Sequence, residues 1–256
     1  MTPFILASTA YGPMIISRMD TGVSWQLFTV GTHESEVVSF VMGLSTACLE
    51  QYSAGVHIVD VGANVGTCTV PWAKHCKGWG HVTAFEPQER IYYALAGNIA
   101  LNNCMNAKAV HGAVSNLSGT MRIPRINYEV LSNFGGIAMR DGLLVHGPGQ
   151  DLSYDRHEMD VVNCFALDDS QMSRLDILKI DVEGMEMDVL KGANATIGKL
   201  KPVVISEWLH CGVEAVTSFL KDFEHFKLGG NIVSVPMSET HIRDYVFHQL
   251  DKLPHA

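Results

Sequence analysis

The chain has 256 residues, 47% of them hydrophobic, which is enough for one large core in a single α/β domain spanning residues 1–256. It carries 18 basic and 27 acidic residues, and its formal net charge of −9 argues against a nucleic-acid substrate, because phosphates would be repelled on average. No run of 18 or more apolar residues occurs, so we expect no membrane-spanning helix.

Residues 1–50 predict short strands followed by a helix. The start, MTPFILASTAYG, is apolar without a preceding basic residue, which favours a first strand over a signal peptide. The stretches PMIIS and SWQLFTV predict two further strands around the turn RMDTG. Residues 34–50 place apolar side chains at helical spacing. We expect this N-terminal part to cap the site formed by the rest of the chain.

Residues 51–256 predict the α/β core. Strands are expected at HIVDVG, HVTAFEP, KAVHGAV, LDILKIDVEG and KPVVISEWL, and helices at GTCTVPWAKHC, QERIYYALAGNIALNN and MEMDVLKGANAT. Continuous apolar strands separated by helices indicate a parallel sheet buried on both faces. The stretches GGNIVSVP and RDYVFHQL predict a closing pair of strands, expected to be antiparallel.

Residues 119–160 break this alternation and contain SNFGG and HGPGQ. A stretch of this length inside an α/β domain is more often functional than idle, so it predicts a substrate loop or short hairpin over the strand ends. A surface excursion is the alternative. Asn133 lies beside two glycines and is a candidate to reach an acceptor, because glycines often serve movable loops.

The segment HIVDVGANVG predicts the ligand site. The strand ends at Asp60, and a loop poor in side chains follows; it carries Gly62, Ala63, Asn64 and Gly66. Glu86 lies 20 positions after Gly66 at the tip of the next strand (FEP, which ends in Pro87), where a carboxylate can accept hydrogen bonds from ribose hydroxyls. The ligand is therefore expected to have an adenosine-like end.

Two cofactors fit such an end. A nicotinamide cofactor prefers G-x-G-x-x-G, which binds pyrophosphate, whereas this chain has Gly62 and Gly66 separated by three residues. An acid facing the loop suits S-adenosylmethionine (SAM), which has a sulfonium and an ammonium but no phosphate. A P-loop is excluded because no GK[ST] follows the glycines. The six cysteines form no CxxC pair, which indicates core residues in a reducing, cytoplasmic compartment.

Five stretches together match the pattern of a known family: VDVGANVGTCTVPWA, VTAFEP, NIALNN, LDDSQMSRLDILKIDVEGMEMDVLKGA and PVVISEWL. With them the chain resembles, over roughly residues 11–250, the FkbM-type SAM-dependent methyltransferases. It implies the Rossmann-like class I methyltransferase fold: seven strands, mostly parallel with the last one antiparallel, and helices on both faces. It implies O-methylation of a small-molecule or glycan acceptor, at a hydroxyl of a sugar, glycan or secondary metabolite. DVEG replaces the (D/N)PP(Y/F/W) motif of base methyltransferases.

The same resemblance implies positions for the cofactor. Asp60, Gly62, Asn64 and Gly66 would surround the methionine portion of SAM, with Ala63 in the same loop. Glu86, followed by Pro87, would hold the ribose. Ala113 and Val114, after the third core strand, would lie near the adenine.

Four side chains after the fourth and fifth core strands are candidates for catalysis: Asp181, Glu183, Glu207 and His210. A hydroxyl becomes a good nucleophile once a base or a metal ion helps to remove its proton. Two routes are open: direct removal by His210 or an acid, which we favour, and a divalent metal held by Asp181 and Glu207, with or without His210. Capping of the next helix is the structural alternative for Asp181 and Glu183.

Two other functions fit the sequence. One is an oxidoreductase that uses a nicotinamide or nucleotide-sugar substrate, which the spacing of the glycines disfavours. The other is a non-catalytic SAM-binding module, which the acids at the strand tips disfavour.

Overall fold

A mostly parallel β-sheet with helices on both faces forms the centre of the molecule in the computed structural model, which describes residues 2–142 and 149–253. The strands are β1 (Phe4–Thr9), β2 (Gly12–Ser17), β3 (Val56–Val61), β4 (Gly80–Glu86), β5 (Ala107–His111), β6 (Ala113–Val114), β7 (Gly119–Ile123), β8 (Asp160–Phe165), β9 (Ile177–Ile180), β10 (Val203–Glu207), β11 (Phe223–Leu228), β12 (Asn231–Pro236) and β13 (Asp251–Lys252). The helices are α1 (Val23–Thr29), α2 (Ser35–Tyr52), α3 (Thr69–His75), α4 (Glu89–Leu101), α5 (Glu186–Gly192), α6 (Asn194–Leu200), α7 (Val213–Phe219) and α8 (Thr240–Phe247).

The strand order of the main sheet is β13-β11-β12-β10-β9-β3-β4-β5. Strands β10, β9, β3, β4 and β5 are parallel, and β12 runs antiparallel to both β10 and β11. Apart from the two-residue edge strand β13, this is the predicted seven-stranded sheet, and the fold prediction is confirmed. The chain builds outward from β3 to β5 and then returns to place β9 on the other side of β3, so a ligand crevice is expected at the carboxyl ends of β3 and β9.

Alternating side chains divide the core between the two faces of the sheet. Ile58 packs in the same cluster as the buried residues of α2 and α3, whereas Val59 packs in the cluster formed by α5, α6 and α7. All four residues of β9 are buried, as expected for an inner parallel strand. One of them is Lys179, a charged residue that is rarely buried without partners.

Two predicted strands are helices, and those predictions were wrong. SWQLFTV falls mainly in α1, where the buried residues Val23 and Leu27 are four positions apart. RDYVFHQL falls largely in α8, where Ile242 and Val246 show the same spacing. Residues four positions apart lie on one face of a helix, but in a stretch this short the same spacing also fits the alternation of side chains along a β-strand. The strand that forms the closing antiparallel pair with β12 is instead β11.

The N-terminal hairpin of β1 and β2 is attached to the core by Asn98 of α4. The Asn98 Oδ1 atom accepts a hydrogen bond of 2.6 Å from the Ile15 amide, and its Nδ2 atom donates to the carbonyls of Ile15 and Val65. Asn98 is fully buried, and its bond to the Val65 carbonyl is shielded from water. Asn98, the first residue of NIALNN, therefore joins the hairpin to the loop that follows β3.

The segment 119–160 begins and ends in a small sheet of its own, in which β7 pairs antiparallel with β8. Its middle is joined to the N-terminal part through Asp20, which is buried; Oδ1 of Asp20 accepts hydrogen bonds of 3.1 Å from the amides of Gly22 and Phe134. Residues 143–148, which include part of the predicted HGPGQ loop, lie outside the described residues. Within the described chain, no helix has the length and apolar character needed to cross a membrane.

Candidate functional site

A cavity of about 340 Å³ lies at the carboxyl ends of β3, β4, β9 and β10. Residues from the N-terminal part line one side of it: Gly22, Val23, Gln26, His33 and Glu34. Another side is formed by residues of the 119–160 segment: Asn133, Gly135, Gly136, Ile137 and Met139. The crevice expected from the strand order therefore has walls on several sides.

The glycine loop forms the floor of the cavity. Gly62 has a left-handed φ of +83°, and a Cβ atom there would lie 1.7 Å from the carbonyl oxygen of Asp181. Only glycine fits such an approach between the ends of β3 and β9. The amides of Gly62 and Ala63 donate to the Phe85 carbonyl at 3.1 and 3.0 Å, which fixes the loop against the end of β4.

Glu86 organises the neighbouring strand tip. Its side chain faces the cavity although only 4% of the residue is exposed. One carboxylate oxygen accepts a 3.0 Å hydrogen bond from the Asn64 amide, and the other accepts a 2.8 Å bond from the Gln88 amide. Burial raises the pKa of Glu86 to about 7, and the two hydrogen bonds oppose that rise. Each oxygen keeps a lone pair that could accept a ligand hydroxyl.

A group of acidic side chains around one lysine lies on the other side of the loop. The Lys179 Nζ atom is 3.0 Å from Oδ2 of Asp181 and 3.5 Å from Oε2 of Glu34. Burial alone would lower the pKa of Lys179, but the acids around it raise that pKa well above its ordinary value. Asp60 is fully buried and accepts a 2.6 Å hydrogen bond from the Thr69 hydroxyl; burial raises the Asp60 pKa.

A second cluster lies at the tips of β9 and β10. The His210 Nε2 atom is 3.0 Å from Oε2 of Glu183 and 3.7 Å from Oε2 of Glu207. Burial and neighbouring acids raise the pKa of Glu183 to about 9 and that of Glu207 to about 8. Both carboxylates line the cavity, but His210 does not, and its Nδ1 atom is buried. The two acids therefore face the cavity, with the imidazole outside its lining.

The structure brings most of the predicted site residues to the cavity. The predicted residues that line it are Asp60, Gly62, Ala63, Asn64, Glu86, Pro87, Ala113, Val114, Asp181, Glu183 and Glu207. Gly66 and His210 do not line it. A Cβ atom on Gly66 would lie 2.9 Å from Cδ1 of Leu95, so this glycine allows close packing of the loop on α4. Asn133 lines the cavity, and its side-chain oxygen accepts a 3.2 Å bond from the Gly136 amide.

The grouping of the acids differs from the predicted one. In the alternative metal route Asp181 and Glu207 were the ligands, with or without His210, but Asp181 is paired with Lys179, whereas Glu207 lies with Glu183 and His210. Sequence reasoning missed Lys179 and Glu34. A lysine inside the apolar strand LDILKID was the available signal, because a buried lysine requires acidic partners.

Known proteins resemble this chain in sequence and in structure. Methyltransferase sdnD from Sordaria araneosa is 29% identical over 187 residues, which are 64% of this chain and 71% of that protein. Methyltransferase FkbM from Methylobacillus flagellatus KT is 16% identical with a TM-score of 0.47 and covers 71% of this chain. The Pyrococcus abyssi tRNA (uracil-54, C5)-methyltransferase, solved with S-adenosyl-L-homocysteine, is 15% identical with a TM-score of 0.46 and covers 91% of this chain. This chain spans 44% of each of those two solved chains.

The family follows from the sequence match, because both TM-scores lie below 0.5. The methyltransferase FkbM domain matches residues 60–246, which run from the acid near the end of β3 into α8. The matched region includes the glycine loop, Glu86 and the acids after β9 and β10, and it agrees with the resemblance drawn from the sequence. The chain therefore belongs to the FkbM family of SAM-dependent methyltransferases.

Proposed function

We propose that the protein transfers the methyl group of SAM to a hydroxyl oxygen of a small molecule or glycan. The observation that carries this proposal is the cluster of Glu183, Glu207 and His210 at one end of the cavity that also contains the glycine loop and Glu86. A cofactor site and a group able to accept a proton thus share one cavity.

In this proposal the adenosine of SAM lies toward β4 and β6. Glu86 would accept hydrogen bonds from the ribose hydroxyls, since both of its oxygens keep free lone pairs. Ala113 and Val114 offer an apolar wall for the adenine. The methionine portion would cross the glycine loop at Gly62, whose missing side chain lets the loop pack against the Asp181 carbonyl.

The acceptor hydroxyl needs a base, and Glu183 is the best-placed one. Its carboxylate lines the cavity, and a pKa of about 9 makes it a stronger base than an ordinary carboxylate. In the reaction the acceptor oxygen bonds to the methyl carbon, the bond from that carbon to sulfur breaks, and the hydroxyl proton moves to Glu183. S-adenosylhomocysteine is left. His210, 3.0 Å from Glu183, would orient this carboxylate from behind.

A divalent metal is the other way to activate the hydroxyl. Glu183, Glu207 and His210 each offer one ligand atom, and these atoms lie within 4.8 Å of one another. Against a metal, a divalent cation near the sulfonium would be repelled unless the carboxylates neutralise both. The direct base is therefore the favoured route.

The acidic lining of the cavity, with one lysine, favours an acceptor without phosphate groups. Six acids line it, namely Glu34, Asp60, Glu86, Asp181, Glu183 and Glu207. Lys179 is the lysine in this lining, and it is already paired with two of those acids. An acceptor bearing phosphate groups would be repelled, so a sugar or secondary-metabolite hydroxyl is a better substrate than a nucleic acid.

The test is methyl transfer from isotope-labelled SAM to a pool of sugars, glycosides and hydroxylated metabolites, with the methylated atom assigned by mass spectrometry. We expect O-methyl products, full activity in excess EDTA, and at least a hundredfold lower rate in Glu183→Gln. The matched control is Glu214→Gln, the same change at an exposed site on α7. Products methylated on nitrogen or carbon would overturn the O-methyltransferase proposal. Activity that EDTA removes and magnesium restores would establish the metal route. SAM binding without any transfer would favour a non-catalytic module.

A further inference from the structure

Two carboxyl groups lie side by side at the end of the cavity where the proposed base is found. Strands β9 and β10 run parallel, with Ile180 opposite Ser206, so their carboxyl ends meet at the same edge of the sheet. Glu207 is the last residue of β10, and Glu183 lies in the turn that follows β9. Both side chains line the cavity, and each offers one oxygen atom within 4.8 Å of the other. A molecule bound at this end therefore meets both carboxyl groups at once.

One histidine serves these two carboxyl groups unequally. The His210 Nε2 atom is 3.0 Å from Oε2 of Glu183, which is a hydrogen bond, and 3.7 Å from Oε2 of Glu207, which is too far for one. This nitrogen carries at most one hydrogen atom, so it serves one carboxyl group. Oε2 of Glu207 is buried but has no hydrogen-bond partner among the described residues. Glu183 is thus held in place, whereas Glu207 keeps unused hydrogen-bonding capacity.

The lysine of the cavity lining does not fill that capacity. Lys179 forms its ion pairs with Glu34 and Asp181, and none with Glu207 within the described chain. Only 18% of the Glu207 side chain is exposed, and a mostly buried polar group without a partner is costly. A ligand group that hydrogen-bonds Glu207 therefore gains affinity over one that does not. A hydroxyl suits this position because it can donate or accept, whichever protonation state the carboxyl group has.

A hydroxyl next to the methylated one can make this contact. In the proposed reaction the methylated hydroxyl lies against Glu183 and gives up its proton there. Hydrogen bonds between hydroxyl and carboxyl oxygens are about 2.7 Å long, so hydroxyls on neighbouring carbon atoms can each reach one of two carboxyl groups this close together. The second hydroxyl keeps its proton and is not methylated. An acceptor with a single hydroxyl would leave Glu207 without a partner.

The geometry points to Glu207 as a specificity-determining residue that binds a second hydroxyl of the acceptor, on the carbon atom next to the methylated one. The acceptor is then a vicinal diol, such as a sugar or an aromatic 1,2-diol. The product carries one free hydroxyl beside the new O-methyl group. This inference rests on the proposed O-methyl transfer and narrows its substrate class.

The test uses pairs of acceptors that differ by that one hydroxyl. The pairs are catechol with phenol, cis-1,2-cyclohexanediol with cyclohexanol, and each sugar that is methylated with the deoxy analogue that lacks the neighbouring hydroxyl. With labelled SAM and excess EDTA, we expect kcat/KM to be about tenfold or more higher for the diol of a pair, mainly through a lower KM. In Glu207→Ala this preference should fall below about threefold, whereas Glu207→Gln should keep it, because its amide still hydrogen-bonds a hydroxyl. The matched control is Glu214→Ala, at an exposed site on α7.

The outcomes separate this inference from the proposed function. Equal methylation of both members of a pair, or a preference that survives in Glu207→Ala, would overturn the role of Glu207 and leave O-methyl transfer standing. A preference that is present without EDTA and absent with it would assign the second hydroxyl to a metal ion, and would also overturn the inference. No methylated product from any acceptor would instead overturn the proposed function. If Glu207→Ala does not fold, Glu207→Met gives the same comparison, because its side chain is of similar size and lacks the oxygens that bind a hydroxyl.

Discussion

Replacing Glu86 by glutamine tests the cofactor site most directly. The substitution keeps the shape of the side chain but removes its charge and one of its two accepting oxygens. In the structure those oxygens accept the amides of Asn64 and Gln88. The glutamine NH2 group must therefore face one of these two amides, leaving that backbone donor without a partner.

The size of the effect follows from these contacts. A charge-assisted hydrogen bond to the ribose contributes about 1.5–3 kcal/mol, so we expect SAM affinity to fall by roughly 10- to 150-fold. The loss is measured by calorimetry, with Glu89→Gln as the control because Glu89 is exposed on the first turn of α4. Affinity for SAM equal to that of the unaltered protein would remove Glu86 from the ribose site.

The pH dependence provides an independent check. The pKa of Glu86 is raised from 4.5 to about 7, which means that the ligand-free fold favours the protonated carboxyl. Its contribution to the free energy of unfolding is therefore fully present below pH 4.5 and is lost as the pH rises through 7. The rise corresponds to roughly 3 kcal/mol. Because ribose hydroxyls favour the ionised carboxylate, SAM should bind more tightly as the pH rises through 7, with release of a proton. Glu86→Gln should lose this part of the dependence; an identical pH profile would refute the reasoning.

Two further substitutions and one pH profile test the remaining parts of the site. Gly62→Ala should abolish SAM binding and lower the free energy of unfolding by about 2–4 kcal/mol, because its Cβ atom would lie 1.7 Å from the Asp181 carbonyl oxygen; unchanged stability in urea would contradict this. Asp20→Asn should lower the free energy of unfolding by about 1–3 kcal/mol and speed amide hydrogen exchange around Phe134, whose amide donates to Asp20. Exchange as slow as in the unaltered protein would contradict a connection between the N-terminal part and the 119–160 segment through Asp20. The methyl-transfer rate should rise between about pH 7 and pH 9 as Glu183, with its raised pKa of about 9, loses its proton; a rise that persists in Glu183→Gln would assign it to another group.

The predictions that succeeded rest on local patterns. The strand that contains Asp60, the glycines after it and Glu86 at the next strand tip are encoded within one stretch of chain, so their spacing is readable before folding is known. The failures are local too. SWQLFTV and RDYVFHQL are short enough for their apolar residues to fit either a strand or a helix, and in the structure α1 and α8 bury residues four positions apart.

By itself, the sequence determined the fold class, the family and the edge of the sheet at which the cavity lies. Only the tertiary structure decided which charges meet there. Lys179 stands opposite Asp60 through the register of β3 and β9, and it reaches Glu34 because α2 begins beside the same strand ends. Likewise, Glu183 pairs with His210 while Asp181, two residues earlier, pairs with Lys179. The physical reason is that ionic contacts form between groups distant along the chain, and the direction of each side chain is set by strand register and turn geometry.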